Sequence, residues 1–384
     1  MTNEQILKYT NEVFDEAVQM RRFLHQNPEL GNQETVTTQY IENKLQEWGI
    51  ETYKPLATGV VGIIHGKSDN AIAFRADIDA LPVTEETDLP YASKNDGIMH
   101  ACGHDIHTAT LLAAAKILAE HRDELEQTVK FIFQPDEEGF GGAKRLIDAG
   151  VLADPAVSKV FGIHIRPDLP CGKVAVKYGK SYAASDIFTI TVAGKSAHGA
   201  EPHMGSNALM AASRIALALD GIVARNTAPT DSAVVSVCTF ESGTACNIIP
   251  ETATLTGIIR TLGPQTRQMM KQKLIKAAEE TAKATDCQAH VDIHESYPGV
   301  VNHNEDVTFI ANCARQLFSP DRLIILDEPT MTTEDFGYFL ENAGGCFYHI
   351  GAGSDYPLHN SKMNPNEDCM RTAIAMVLRT ANRP

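Results

Sequence analysis

From Asp186 to Ser296 the chain runs strand, helix, strand, strand, helix, strand. DIFTITVAG (186–194) alternates with period two, and SNALMAASRIALALDGIV (206–223) carries a helical apolar stripe. SAVVSVCTFESG (232–243) and TATLTGIIRTL (252–262) read as strands, PQTRQMMKQKLIKAAEETAKAT (264–285) as a helix and AHVDIHES (289–296) as a strand. That βαββαβ order is the ferredoxin-like pattern, which forms a two-layer domain on its own. The texture changes near Ser185, and Tyr297-Pro298-Gly299 is a natural exit. Residues 185–296 are therefore expected as a domain inserted into a larger, discontinuous one built from 1–184 and 297–384.

The flanking sequence follows a different rule. Helical segments are expected at 4–25, ended before Pro28, at 32–50, at 105–121 and at 141–150. Strands are expected at 60–66, 71–81, 128–134 and 159–165, the third stopped by Pro135. Strands alternating with helices make this an α/β domain with much parallel pairing. A chain of 384 residues is long enough for two cores.

A net charge of −16 argues against nucleic acid or an anionic membrane as the main partner. The N-terminal MTNEQILKYTNEVF has neither a basic nor an apolar leader region, and no apolar run reaches the ~20 residues that span a bilayer. The eight cysteines are scattered without a C-x-x-C pair and read as reduced thiols in a cytoplasmic protein.

Chemistry gathers at the expected strand ends, where open α/β sheets bind ligands. Asp77 and Asp79 end one strand, Asp136-Glu137-Glu138 follow another, and His164 lies near the end of a third. MHACGHDIHTATLL (99–112) packs His100, Cys102, His104 and His107 ahead of an Ala/Leu-rich helix, and His359 sits in a late loop. Singly, each has a plainer reading: a structural histidine, a solvated glutamate turn, a small core cysteine. Together, imidazole, thiolate and carboxylate suit Zn²⁺ and its transition-metal neighbours. Gly103 permits the bend that turns Cys102 and His104 inward, and the helix N-terminus behind them is expected to favour the Cys102 thiolate. Asp105, three residues before Thr108, fits a helix cap.

MHACGHDIHTA, FIFQPDEEGFGGAKRLIDAG, FGIHIRPDLPCG, GKSAHGAEPHMGSNAL and PLHNSKMNPNED, with LHQNPELGNQE (24–34) and FRADIDALP (74–82), resemble the M20 metallopeptidase clan in order from residue 20 to about 370. The closer resemblance is to its aminoacylase, hippurate-hydrolase and auxin-conjugate-hydrolase branch. It implies a large α/β catalytic domain with a mixed sheet and an inserted lid or dimerisation domain. It implies two divalent ions (Zn, Mn, Co or Ni) held by Cys102, His104, Glu138, His164 and His359, with Glu137 as general base. It further implies that His198 supports the developing oxyanion, that Asn247 and Arg260 hold the amino-acid portion of the substrate, and that Asp77 stands behind the ligands. His100, Asp105, His107 and Asp335 are expected as supporting or capping groups. Where many clan members carry a metal-binding histidine two residues before the aspartate, this chain has Arg75. The implied reaction is hydrolysis of an N-acyl amino acid to a carboxylic acid and a free amino acid. N-acetyl-diaminopimelate deacetylation, or dipeptidase or carboxypeptidase action, stands as the alternative. A homodimer or homotetramer through the inserted domain is the expected assembly.

Overall fold

The computed structural model describes residues 1–139 and 141–382. Phe140, inside one of the motifs, and residues 383 and 384, at the end of the segment assigned to the larger domain, lie outside the described residues. The chain divides into two compact units: residues 1–181, 301–328 and 335–384, and residues 182–300 with 329–334.

The larger unit is built on an eight-stranded mixed sheet. Its centre is four parallel strands in the order Gln127–Gln134, Ser68–Asp77, Val157–Arg166, Gly344–Gly351. Val60–Ile64 and Glu51–Tyr53 extend one side in antiparallel fashion. Val174–Val176 pairs antiparallel with Gly344–Gly351, and Leu323–Ile325 closes that edge. The chain leaves Ser68–Asp77 toward one edge and Val157–Arg166 toward the other. Such a reversal opens a crevice beyond the carboxyl ends of adjacent strands. The strand expected over 71–81 stops at Asp77; Ala80 and Leu81 keep only single bridges, to Leu30 and Met99.

Helix His104–Glu120 is the post of this unit. Its Ala/Leu-rich sequence has no polar face, and a helix apolar all round must be buried. Within it only Lys116 and Glu120 escape full burial. It packs against the sheet and against helices Asn3–Gln26 and Cys369–Ala381. Helix Asn3–Gln26 opens on a reciprocal capping box between Thr2 and Gln5 and ends ahead of Pro28.

In the smaller unit four antiparallel strands take the order Ala233–Ser242, Thr252–Thr261, Ala184–Ala193, Gln288–Glu295. Helices Ala208–Asp220 and Pro264–Lys283 cover one face around Phe188, Ile190, Leu255 and Leu274. This is the sheet order that a βαββαβ chain produces when the third strand enters between the first two. The helix expected over 206–223 breaks at Gly221, and a separate turn follows at Ile222–Asn226. Residues 329–334 join through the Tyr182–Thr330 bridge and the Ala183 N–H on the Thr332 carbonyl, 3.1 Å.

Candidate active site

The carboxyl ends of the parallel strands deliver their side chains to one place in the larger unit. Cys102 Sγ lies 3.4 Å from His164 Nε2. His359 Nε2 lies 3.1 Å from Glu138 Oε1, and His104 Nε2 lies 4.0 Å from the same oxygen. Ligand-type atoms of Cys102, Glu138 and His359 lie within 4.8 Å of one another, as do those of Cys102, His104 and His164, and those of His104, Glu137 and Glu138. His359 comes from far along the chain, and its own N–H on the Ala101 carbonyl, 2.8 Å, ties its loop to the Cys102 turn.

The surrounding hydrogen bonds decide which ring nitrogens face inward. His104 Nδ1 is 3.0 Å from the Asp79 carbonyl and 3.1 Å from its carboxylate, so it carries the proton. His164 Nδ1 donates to the Ile165 carbonyl at 2.8 Å. His164 Nε2 is thereby left with a lone pair toward Cys102, and His104 Nε2 gains one when the ring gives up its second proton. His104 Nε2 is buried with no hydrogen-bond partner among the described residues, whereas Glu138 Oε1 faces His359 Nε2. A buried polar atom is rarely left without a partner, and the sulfur, nitrogen and oxygen donor set fits a divalent transition ion. His107 is spent otherwise: Nδ1 donates to Asp77 at 2.6 Å and Nε2 accepts the Ile165 N–H at 3.0 Å. His100 lies instead beside His25, ring centres 6.4 Å apart.

Electrostatics favours a cation here. Burial alone would lower His104, but Asp77, Asp79 and Glu138 outweigh it and raise the imidazole to about 10. Burial pushes the Cys102 thiol well above its ordinary value, reinforced by Glu138 and Glu137. The helix N-terminus expected to favour the thiolate is therefore outweighed by burial and carboxylates; a bound cation reverses that balance. Burial, with His107 alongside, holds His164 well below its usual value. Burial opposes ionisation of Glu138, but His359 and His104 keep its carboxyl low.

Gly103 takes φ +86° at the turn, and a Cβ there would sit 2.3 Å from Ile165 Cδ1. The left-handed residue directly ahead of the two glutamates is Asp136, φ +57°. Glu137 is buried, and its Oε1 accepts the Asp335 N–H at 3.4 Å. The Asp335 carboxylate accepts from Arg75 Nη2 at 2.8 Å, Gln134 Nε2 at 2.8 Å and the Ala143 N–H at 2.9 Å. Arg75 pairs Asp335 with Asp77 and holds Asp77 well below the usual carboxylate range against the cost of burial.

The capping role expected of Asp105 is not found. Its carboxylate is buried against Arg21 Nε at 2.7 Å and His25 Nδ1 at 2.8 Å, and the N-cap position belongs to Gly103. A buried guanidinium left without that carboxylate would be an uncompensated charge. The sequence reading also passed over Arg21, His25 and Glu34, although LHQNPELGNQE contained two of them.

In the smaller unit Ala197–His198 pairs with Ile248–Ile249, and the Gly199 N–H donates to the Asn247 carbonyl at 2.8 Å. His198 and Asn247 are thus brought together. The Ala200 N–H donates to His198 Nδ1 at 3.1 Å, which makes the exposed Nε2 a donor. Arg260 stands elsewhere, half-buried in the four-stranded sheet opposite Ser185, to whose hydroxyl it donates.

The chain belongs to peptidase family M20/M25/M40, whose pattern it matches over residues 73–383. It is 38% identical to an N-acetyl-L-cysteine deacetylase of Bacillus subtilis, covering 96% of this chain and 88% of that one. It is 38% identical to a hippurate hydrolase of Campylobacter jejuni over 95% of this chain and 96% of that one. A dinuclear metal-binding peptidase of the M20 family from Bacillus subtilis superposes with TM-score 0.86 at 35% identity, covering 97% of this chain and 98% of that one.

Proposed function

We propose that this protein is a metal-dependent amidohydrolase that cleaves N-acyl amino acids to a carboxylic acid and a free amino acid. The observation that carries it is the meeting of ligand-type atoms of Cys102, His104, Glu138, His164 and His359 in one buried cluster, with Glu137 alongside. Relatives that deacetylate N-acetyl-L-cysteine or hydrolyse hippurate support the substrate class.

Those five side chains would hold two divalent cations, which acidify water and polarise an amide carbonyl. Glu137 takes the proton of the attacking water and hands it to the departing amide nitrogen. The Asp335 N–H keeps its carboxylate aimed, and Asp77 and Asp79 keep the imidazoles aimed through His107 and His104. In the smaller unit, the lid in this reading, His198 Nε2–H is the donor for the developing oxyanion. Asn247, beside His198, is the reader of the amino-acid carboxylate; Arg260, whose guanidinium suits a carboxylate, stands apart from both and already donates to Ser185. Metal-loaded protein incubated with a panel of N-acetyl and N-benzoyl amino acids should release equal amounts of acid and amino acid. Hydrolysis of dipeptides but of no N-acyl amino acid would replace this reading with a peptidase.

The free state of all eight cysteines supports a reducing, cytoplasmic setting, and no helix among the described residues is long and apolar enough to cross a membrane. The edge strand Ala233–Ser242 exposes Phe240, and the neighbouring helix exposes Leu217 at 77% and Met210. An unpaired edge beside apolar side chains suits a second copy of the chain. Sedimentation equilibrium is expected to give twice the chain mass; a strict monomer would remove this interface.

A further inference from the structure

We infer that Glu34 is a positioning residue: it holds the left-handed turn at Asp136 from which Glu137 and Glu138 enter the cluster. The inference rests on the proposed roles of those two glutamates.

Two adjacent residues in extended backbone point to opposite sides. Glu137 and Glu138 instead bring carboxylate oxygens within 4.8 Å of one another and of a His104 ring nitrogen, so the chain turns here, and the turn starts at Asp136. A non-glycine residue rarely holds φ near +57° unless its surroundings over-determine it. Here the surroundings come largely from the early segment 29–34. Glu34 is fully buried, and its Oε1 accepts the Asp136 N–H at 2.8 Å. The Asp136 carbonyl accepts from the Gly141 and Gly142 N–H groups at 3.1 and 2.9 Å. Its carboxylate meets Arg145 at 3.0 Å and lies so close to Gly31 that a Cβ there would be 2.2 Å from Oδ1. The next two residues are held independently, Glu137 by the Asp335 N–H and Glu138 by its own N–H on Asp79 Oδ2, 2.9 Å.

The segment that carries Glu34 is itself anchored. Glu29 accepts the N–H groups of Thr35, Val36 and Thr37 at 3.1, 3.0 and 2.8 Å, and its carbonyl accepts the Ala80 N–H at 2.8 Å. Glu34 therefore acts as a fixed acceptor rather than a side chain following the loop. Burial raises its carboxyl to about 7, and its Oε2 has no hydrogen-bond partner among the described residues. The feature Asp136 uses is one neutral-capable oxygen, not a charge. Glutamine supplies that oxygen; methionine fills the same space without it.

The test compares Glu34→Met, Glu34→Gln and Glu137→Gln, each checked for fold by circular dichroism and for bound Mn²⁺ or Zn²⁺ by elemental analysis. A misaimed catalytic group costs turnover rather than binding, so Glu34→Met should lose about 10–100-fold in kcat with KM little changed and metal retained. Glu34→Gln should restore kcat to within roughly threefold of the parent. Undiminished kcat in Glu34→Met, a loss that tracks lost metal, or an equal loss in Glu34→Gln would each overturn the inference. Should Glu34→Met not fold, Gly31→Ala presses on the same Asp136 carboxylate. Loss of kcat there beside an active Glu34→Gln upholds the inference, and undiminished kcat overturns it. If Glu137→Gln keeps turnover, the reading of Glu137 has failed instead.

Discussion

Glu137→Gln is expected to leave a folded, metal-loaded protein whose kcat falls by about 10²–10⁴-fold. The substitution keeps shape and the capacity to accept the Asp335 N–H, so positioning survives. What is lost is the ability to take a proton from water and return it to the amide nitrogen. KM should move little, because the change acts on the transition state rather than on ground-state binding. Steady-state hydrolysis of an N-acyl amino acid, with metal content measured on the same sample, checks both halves. A variant within a few fold of the parent would remove Glu137 from proton transfer.

Metal binding should strengthen steeply as pH rises. Without metal, His104 keeps its extra proton up to about pH 10, and Cys102 stays a thiol beyond its usual range. Each must give up a proton to become a ligand, so each adds about one to the slope of log affinity against pH. His164 is already neutral and Glu138 already ionised at pH 7, so neither adds to it, while His359, raised by Glu138, adds a share that fades as pH climbs. Between pH 7 and 9 the slope should approach about two, and Cys102→Ala should bring it near one while weakening binding. Calorimetric titrations in buffers of different ionisation enthalpy read the protons directly. Affinity independent of pH would mean that these two groups are not ligands.

The strand and helix order in both units was legible because alternation and apolar stripes report burial residue by residue. The Cys102-Gly103-His104 bend was legible because a positive φ needs glycine. The meeting of those residues with Glu138, His164 and His359 was not written in any spacing; it follows from sheet order and rested on family resemblance. The hydrogen bond that orients His104 was also out of reach, since Asp79 lies 25 residues away, and the one that orients His164 runs to a backbone carbonyl that no residue type announces. Asp105 misled because its position satisfied a local capping rule, while a buried Arg21 claimed it from 84 residues away. Glu34 carries no local signal, because the N–H it accepts belongs to Asp136, 102 residues away.

The central claim is that the five-ligand cluster, when metal-loaded, hydrolyses N-acyl amino acids. Protein stripped by a chelator and titrated with Mn²⁺ or Zn²⁺ while N-acetyl and N-benzoyl amino acid hydrolysis is followed tests it most directly. Stripped protein should be inactive, and activity should return as about two equivalents bind. Full hydrolysis by completely stripped protein would contradict the account.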